Sequence, residues 1–149
     1  MLPIEPKDPL LTREEFKSLV FARSHNKCVF CGAPAVDAHH IMDRKLFIDG
    51  GYYLNNGVAV CGDHHWQCET TEITLPEVYR AAGIKKPTMP PGFEEEPRNY
   101  DKWGNKFLEP GGFELYRTGG PLKDDEGCLN ALKRANLLWT LRDGEAVPR

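Results

Sequence analysis

Two short motifs constrain this chain more than anything else in it. Cys28-x-x-Cys31 is followed, about thirty residues later, by Cys61-x-x-His64. Two such knuckles present four soft or borderline ligands that can close tetrahedrally on Zn²⁺, so segments far apart in sequence are expected to be clamped together as in a structural zinc site. Cys68 competes for the fourth position: on a helix it lies one further turn beyond Cys61 and His64 on the same face, although His64 is preferred. Cys128, isolated near the C-terminus, is expected to be a small buried hydrophobe.

The rest of the composition narrows the setting. The 149 residues suffice for one modest core, or a small domain with an extended tail. No window approaches the roughly 18 apolar residues of a membrane span, and the start "MLPIEPKDPLL" lacks the basic and apolar regions of a signal peptide. An intracellular, cytoplasmic protein with no membrane contact is expected, in which the five cysteines serve as ligands or free thiols rather than disulfides. The net charge of −3 carries no global signature of nucleic-acid binding, so any such reading must rest on a local site.

Along the chain, residues 1–26 read as an arm and a helix. Thr12 with Glu15 forms a capping box, and a helix over about 13–24 is expected to bury Phe16, Leu19 and Val20. Residues 27–84 hold the motifs. "CVFCGAP" is a tight turn, "AVDAHHI" a strand, 43–57 a loop, "GVAV" a short strand, and a helix runs from near Gly62 through "DHHWQCETT". A second capping box, Thr74 with Glu77, starts another helix that Gly83 ends. Residues 85–149 shift to proline, glycine and scattered aromatics. No regular structure is expected there until a final helix with Leu129, Leu132, Ala135 and Trp139 at near-helical spacing, while Phe93, Tyr100, Trp103, Phe107, Phe113 and Tyr116 are candidates to pin the segment to the rest.

The zinc knuckles explain His64 and leave the pair His39 and His40, and His65, without a role. The ordered set "C-x-x-C … DAHHI … NNGVAVC-x-x-HH" resembles the zinc-containing HNH endonucleases, the ββα-metal nucleases, over residues 28–68. The resemblance implies an α+β fold in which a hairpin and a helix are clamped by zinc, with a catalytic metal between them. It makes His40 the general base that activates water. His39, where many relatives carry aspartate, and His65 become ligands of the catalytic metal. Asn56 becomes the residue that braces the loop and orients the base. Two departures stand out: His64 replaces the cysteine of a second C-x-x-C, and His39 replaces aspartate.

This division of roles makes chemical sense. Hydrolysing a phosphodiester requires activation of water and compensation of growing negative charge, for which an imidazole and a divalent ion are suited. One imidazole cannot do both, because a metal-bound nitrogen has given away its lone pair. Neighbouring side chains on a strand point to opposite faces, so His39 can hold a metal while His40 stays free. Asp37 is a candidate to accept a ring N–H from either histidine. Mg²⁺ or Mn²⁺ is the expected catalytic ion, with Ni²⁺ or Zn²⁺ as further options for a histidine-rich site.

The expected function is metal-dependent cleavage of DNA that leaves 5′-phosphate and 3′-hydroxyl ends. Arg44 and Lys45 would contact phosphates, with Lys27, Arg80, Lys85 and Lys86 as further basic candidates. The acidic run Glu94 to Glu96 should lie away from the cleft or shield it. The alternative is a non-catalytic, zinc-stabilised module binding nucleic acid or protein. The C-terminal extension would then serve, as it also would in the nuclease, as a surface for DNA or a protein partner.

Overall fold

The computed structural model describes residues 8–107, 121–122 and 125–134. Within them lie a two-stranded antiparallel sheet and four α-helices, in the order α1 (Arg13–Arg23), β1 (Asp37–His40), β2 (Gly57–Val60), α2 (Gly62–Glu69), α3 (Leu75–Ala82) and α4 (Glu126–Arg134). This is the expected α+β class. Single 3₁₀ turns at Arg44–Leu46 and Leu54–Asn56 sit in the stretch expected to be loop, and another at Pro97–Asn99 interrupts the segment expected to be irregular.

Helix starts follow their capping chemistry. The Thr12 hydroxyl accepts from the Glu15 N–H at 3.1 Å and the Glu15 carboxylate accepts from the Thr12 N–H at 2.9 Å. At α3, the Glu77 carboxylate accepts from the Thr74 N–H at 2.7 Å, and Gly83 closes the helix in the left-handed region at φ 72°. One expectation fails on α1: Phe16 and Val20 are buried but Leu19 is 44% exposed. The buried stripe runs through positions i and i+4, and a single residue step turns the side chain by about 100°, which carries Leu19 off that stripe.

β1 and β2 pair with Asp37 opposite Val60 and His40 opposite Gly57. The ribbon is covered on both faces, so every residue of β2 is buried. On one face, Ala59 packs with Phe16 and Val20 of α1. On the other, Val58 and Val60 join Ile41, Met42, Leu75 and Val78 in the larger core. Gly57 permits the close approach of α1, since a Cβ there would lie 2.5 Å from Val20 and 2.6 Å from Phe16. The Arg23 guanidinium bonds the carbonyls of Leu54, at 2.9 Å, and Gly57, fastening α1 to the turn that leads into β2.

The segment after α3 packs on this core. Tyr100 joins the larger core cluster, Trp103 and Phe107 are buried, and Phe93 stacks against Tyr100 at 4.8 Å. The Asp101 carboxylate closes the turn by accepting from the backbone N–H groups of Trp103 and Asn105, both at 2.9 Å. Phe113, Tyr116, Ala135 and Trp139 lie outside the described residues, as does the side chain of Leu132. Cys128 is fully buried on α4, as expected. Among the described residues no helix is long and apolar enough to cross a membrane.

Candidate functional site

The two cysteine motifs meet. Donor atoms of Cys28, Cys31, Cys61 and His64 all lie within 4.8 Å of one another. Cys31 Sγ is 3.8 Å from Cys61 Sγ, and His64 Nδ1 is 3.6 Å from Cys28 Sγ and 3.2 Å from Cys61 Sγ. A tetrahedron with zinc–sulfur bonds of about 2.3 Å and zinc–nitrogen bonds of about 2.0–2.1 Å has edges of roughly 3.8 and 3.6 Å, so the four donors fit an ion such as zinc. Burial works to raise the Cys28 thiol. Hydrogen bonds from the backbone around Cys61, Phe30 and Cys31 outweigh it and bring the group down to about 7, favouring the thiolate a metal requires.

Between His64 and Cys68 the fold decides for His64. Cys68 is 3% exposed within the larger core, and burial pushes its thiol up to about 12, so it remains a protonated apolar side chain. Cys61 is the residue that caps α2 in extended conformation, not a member of the helix. The helical-face relation between Cys61 and Cys68 therefore does not apply.

A second cluster forms where β1 faces α2. His39, His65 and Glu69 bring one donor atom each within 4.8 Å of the others. His65 Nε2 lies 3.1 Å and His39 Nδ1 3.5 Å from Glu69 Oε1, while His65 Nδ1 lies 3.1 Å from Asp37 Oδ2. Glu69 also has its carbonyl bonded by the Trp103 indole N–H at 2.9 Å. The two histidines are pushed in opposite directions. Burial, followed by the Lys102 ammonium, holds His39 well below its ordinary value and keeps it neutral, whereas hydrogen bonding to Glu69 raises His65.

His40 points away from this cluster. Its ring packs on Phe16 at 4.7 Å and Tyr52 at 4.9 Å, on the α1 side of the ribbon, and its buried Nε2 has no hydrogen-bond partner among the described residues. Burial, then the Lys102 charge, lowers it to about 4, so the ring is neutral near pH 7. Asn56, fully buried, reaches across the loop that follows His40. Its Oδ1 accepts from the Met42 N–H at 2.9 Å, and its Nδ2 donates to the carbonyls of Met42, at 3.1 Å, and Gly51, at 3.2 Å. The Ile41 N–H donates to the Asn56 carbonyl at 2.9 Å, so the backbone after His40 is held by both the side chain and the main chain of one residue.

His39, His40, His65 and Glu69 all line one cleft of about 410 Å³. Arg44 lines it too. Lys45 does not, and its ammonium pairs with Asp125 at 2.6 Å. Arg80 and Lys85 border a separate groove together with Glu95 and Glu96, and Glu94 pairs with Lys106, so this acidic run lies away from the cleft.

Four cleft residues escaped sequence reasoning for different reasons. Glu69 had a legible signal, the i, i+4 spacing from His65 on one helix face. Arg13 and Lys17 repeat that spacing on α1 but gave no sign of facing the histidines. Lys102 had no local signal at all. It is 3% exposed, 3.0 Å from Asp43 and 4.5 Å from the Trp103 ring, delivered to the cleft by the aromatic-anchored segment. Comparison of the chain with family models, curated proteins and solved structures finds no match in any of the three.

Proposed function

We propose that this protein is a metal-dependent endonuclease of HNH type that hydrolyses phosphodiester bonds in DNA, with a structural zinc at Cys28, Cys31, Cys61 and His64. One observation carries the reading: three donors from β1 and α2 converge in a cleft that a further imidazole outside the donor set, His40, also lines, its Nε2 without a partner among the described residues. The donor set fits a divalent ion. Ligands at about 2.0–2.2 Å from one centre stand roughly 3.0–3.5 Å apart, and the contacts to Glu69 are 3.1 and 3.5 Å. Three protein ligands leave positions open for substrate. Two nitrogens and one carboxylate suit Mn²⁺, Ni²⁺ or Zn²⁺ as well as Mg²⁺.

His39, His65 and Glu69 would hold the ion, which when bound supplies Lewis-acid stabilisation of the phosphoryl and leaving oxygens. Asp37 accepts from the His65 ring, fixing its tautomer and aiming Nε2 at the site. His40, neutral and followed by the Asn56-braced loop, would take a proton from the attacking water at Nε2, which has no partner among the described residues. With a value of about 4 it is a weak base in the substrate-free protein. An anionic phosphate beside the ring stabilises its protonated form and strengthens it at the moment of use.

The test is nicking of supercoiled plasmid by wild type and His40→Ala with Mg²⁺, Mn²⁺, Ni²⁺ or Zn²⁺ added. The variant is expected to lose about 10²–10⁴-fold in rate. Equal rates would remove His40 from the chemistry. Absence of cutting by wild type with every ion would leave the zinc-stabilised binding module as the better account.

A further inference from the structure

The cleft does not share the charge of the chain. The whole protein carries −3, yet four cationic side chains, Arg13, Lys17, Arg44 and Lys102, line the cleft against three acidic ones, Asp37, Asp43 and Glu69. All three acids are engaged: Asp37 with His65, Asp43 with Lys102, and Glu69 with His39 and His65. Lys102 is already paired with Asp43. Arg13, Lys17 and Arg44 form no salt bridge with any described acid.

These three charges come from separate places in the chain. Arg13 and Lys17 stand one turn apart on the exposed side of α1, and Arg44 opens the 3₁₀ turn after β1. All three reach the cleft that holds the histidines. Long, exposed cationic side chains spread along an open cleft match an extended polyanion. A small anion would instead be enclosed by buried donors.

We propose that Arg13 and Lys17, together with Arg44, form a phosphodiester-binding face that lays a nucleic-acid strand across the cleft. The identity of the polyanion rests on the nuclease reading, but its binding is measurable without cutting. α1, which covers one face of the ribbon through Phe16 and Val20, thereby becomes a substrate-positioning element as well. Lys45, held by Asp125, is excluded from the face.

The experiment measures fluorescence anisotropy of a labelled DNA duplex between 50 and 200 mM salt, with zinc-loaded full-length His40→Ala protein as the uncut parent. Variants in that background are Arg13→Gln with Lys17→Gln, Arg44→Gln alone, and a control pair, Lys27→Gln with Lys85→Gln. The α1 pair is expected to weaken binding at least tenfold and to reduce the log–log salt slope by about 2, and Arg44→Gln by about 1. The control pair should change the slope by less than half as much as the α1 pair. An unchanged slope in the α1 pair, an equal loss in the control pair, or no duplex binding by the parent would overturn the proposal. Loss of slope in a protein whose wild type cuts nothing would sink the nuclease reading and leave the binding face standing. Single-stranded DNA and RNA of the same sequence, run in parallel, separate a duplex-specific face from one that takes any phosphodiester strand.

Discussion

The two histidine-containing clusters are built in opposite ways. At Cys28, Cys31, Cys61 and His64, four donors gather within 4.8 Å of one another, the number a closed tetrahedral site requires. At His39, His65 and Glu69 three donors meet on a cleft, backed by Asp37 behind His65 and by the Trp103 indole on the Glu69 carbonyl. The first arrangement suits holding two chain segments together, the second suits admitting another molecule. The difference teaches that α2 contributes to two donor clusters divided by position. Its first turn presents His64 to the knuckles, while the next residue, His65, and Glu69 one turn on face the cleft.

Removing a ligand from the closed cluster should produce the largest effect and break the comparison most directly. Cys61→Ser, or exhaustive chelation, is expected to release zinc and unfold the 27–84 region, because metal binding at such a site is itself folding free energy. Metal content by mass spectrometry together with circular dichroism checks it. A folded, zinc-free protein would show that the closed cluster is not structural.

Glu69→Ala is expected to do the reverse. Zinc and fold should remain, while on the proposed nuclease reading plasmid cleavage falls at least about tenfold and the affinity for an added second ion weakens; on the same reading Asp37→Asn, acting through His65, should cost about 10–100-fold. Melting temperature and isothermal titration with Mn²⁺ separate the two sites. If Glu69→Ala lowers zinc content instead, the clusters are not independent.

Asn56→Ala probes what lies between them. It strips hydrogen bonds from the Met42 N–H and from the carbonyls of Met42 and Gly51, and should cost about 1–3 kcal/mol or more in urea unfolding. On the nuclease reading, cleavage should fall beyond what stability explains, with zinc content unchanged. The smallest expected effect lies at Asp125, which belongs to neither donor set. Burial works to raise its carboxyl, but the Lys45 ammonium and the Cys128 and Gly127 N–H groups outweigh it and leave it lowered. A lowered carboxyl stabilises the folded state above its unfolded value of about 3.9, and that contribution is lost as pH falls through the folded value. Asp125→Asn should flatten the acid limb of stability slightly while leaving both clusters intact.

Local signals in the sequence sufficed wherever the physics is local. Capping boxes at Thr12 and Thr74, the left-handed Gly83, the strands around His39 and Val58, and the convergence of the cysteine motifs were all legible. Each depends on residues a few positions apart, or on ligand chemistry that demands proximity. The opposed aims of His39 and His40 follow from strand alternation alone. Leu19 was misplaced because a helix with few apolar residues leaves the edge of its buried stripe undetermined until its partner is known.

Tertiary structure decided the remainder. Whether His64 or Cys68 completes the cluster depended on Cys61 being a cap residue and on how deeply Cys68 sits in the core. That Lys45 turns to Asp125, eighty residues away, and that Lys102 enters the cleft from the proline- and glycine-rich segment, are long-range events with no periodic trace. The ligand types and their spacing by themselves determined that this chain gathers cysteine and histidine around a metal-sized point. Which charges face the second cluster was decided only by packing, because ion pairing depends on distance in space, and sequence separation says nothing about it.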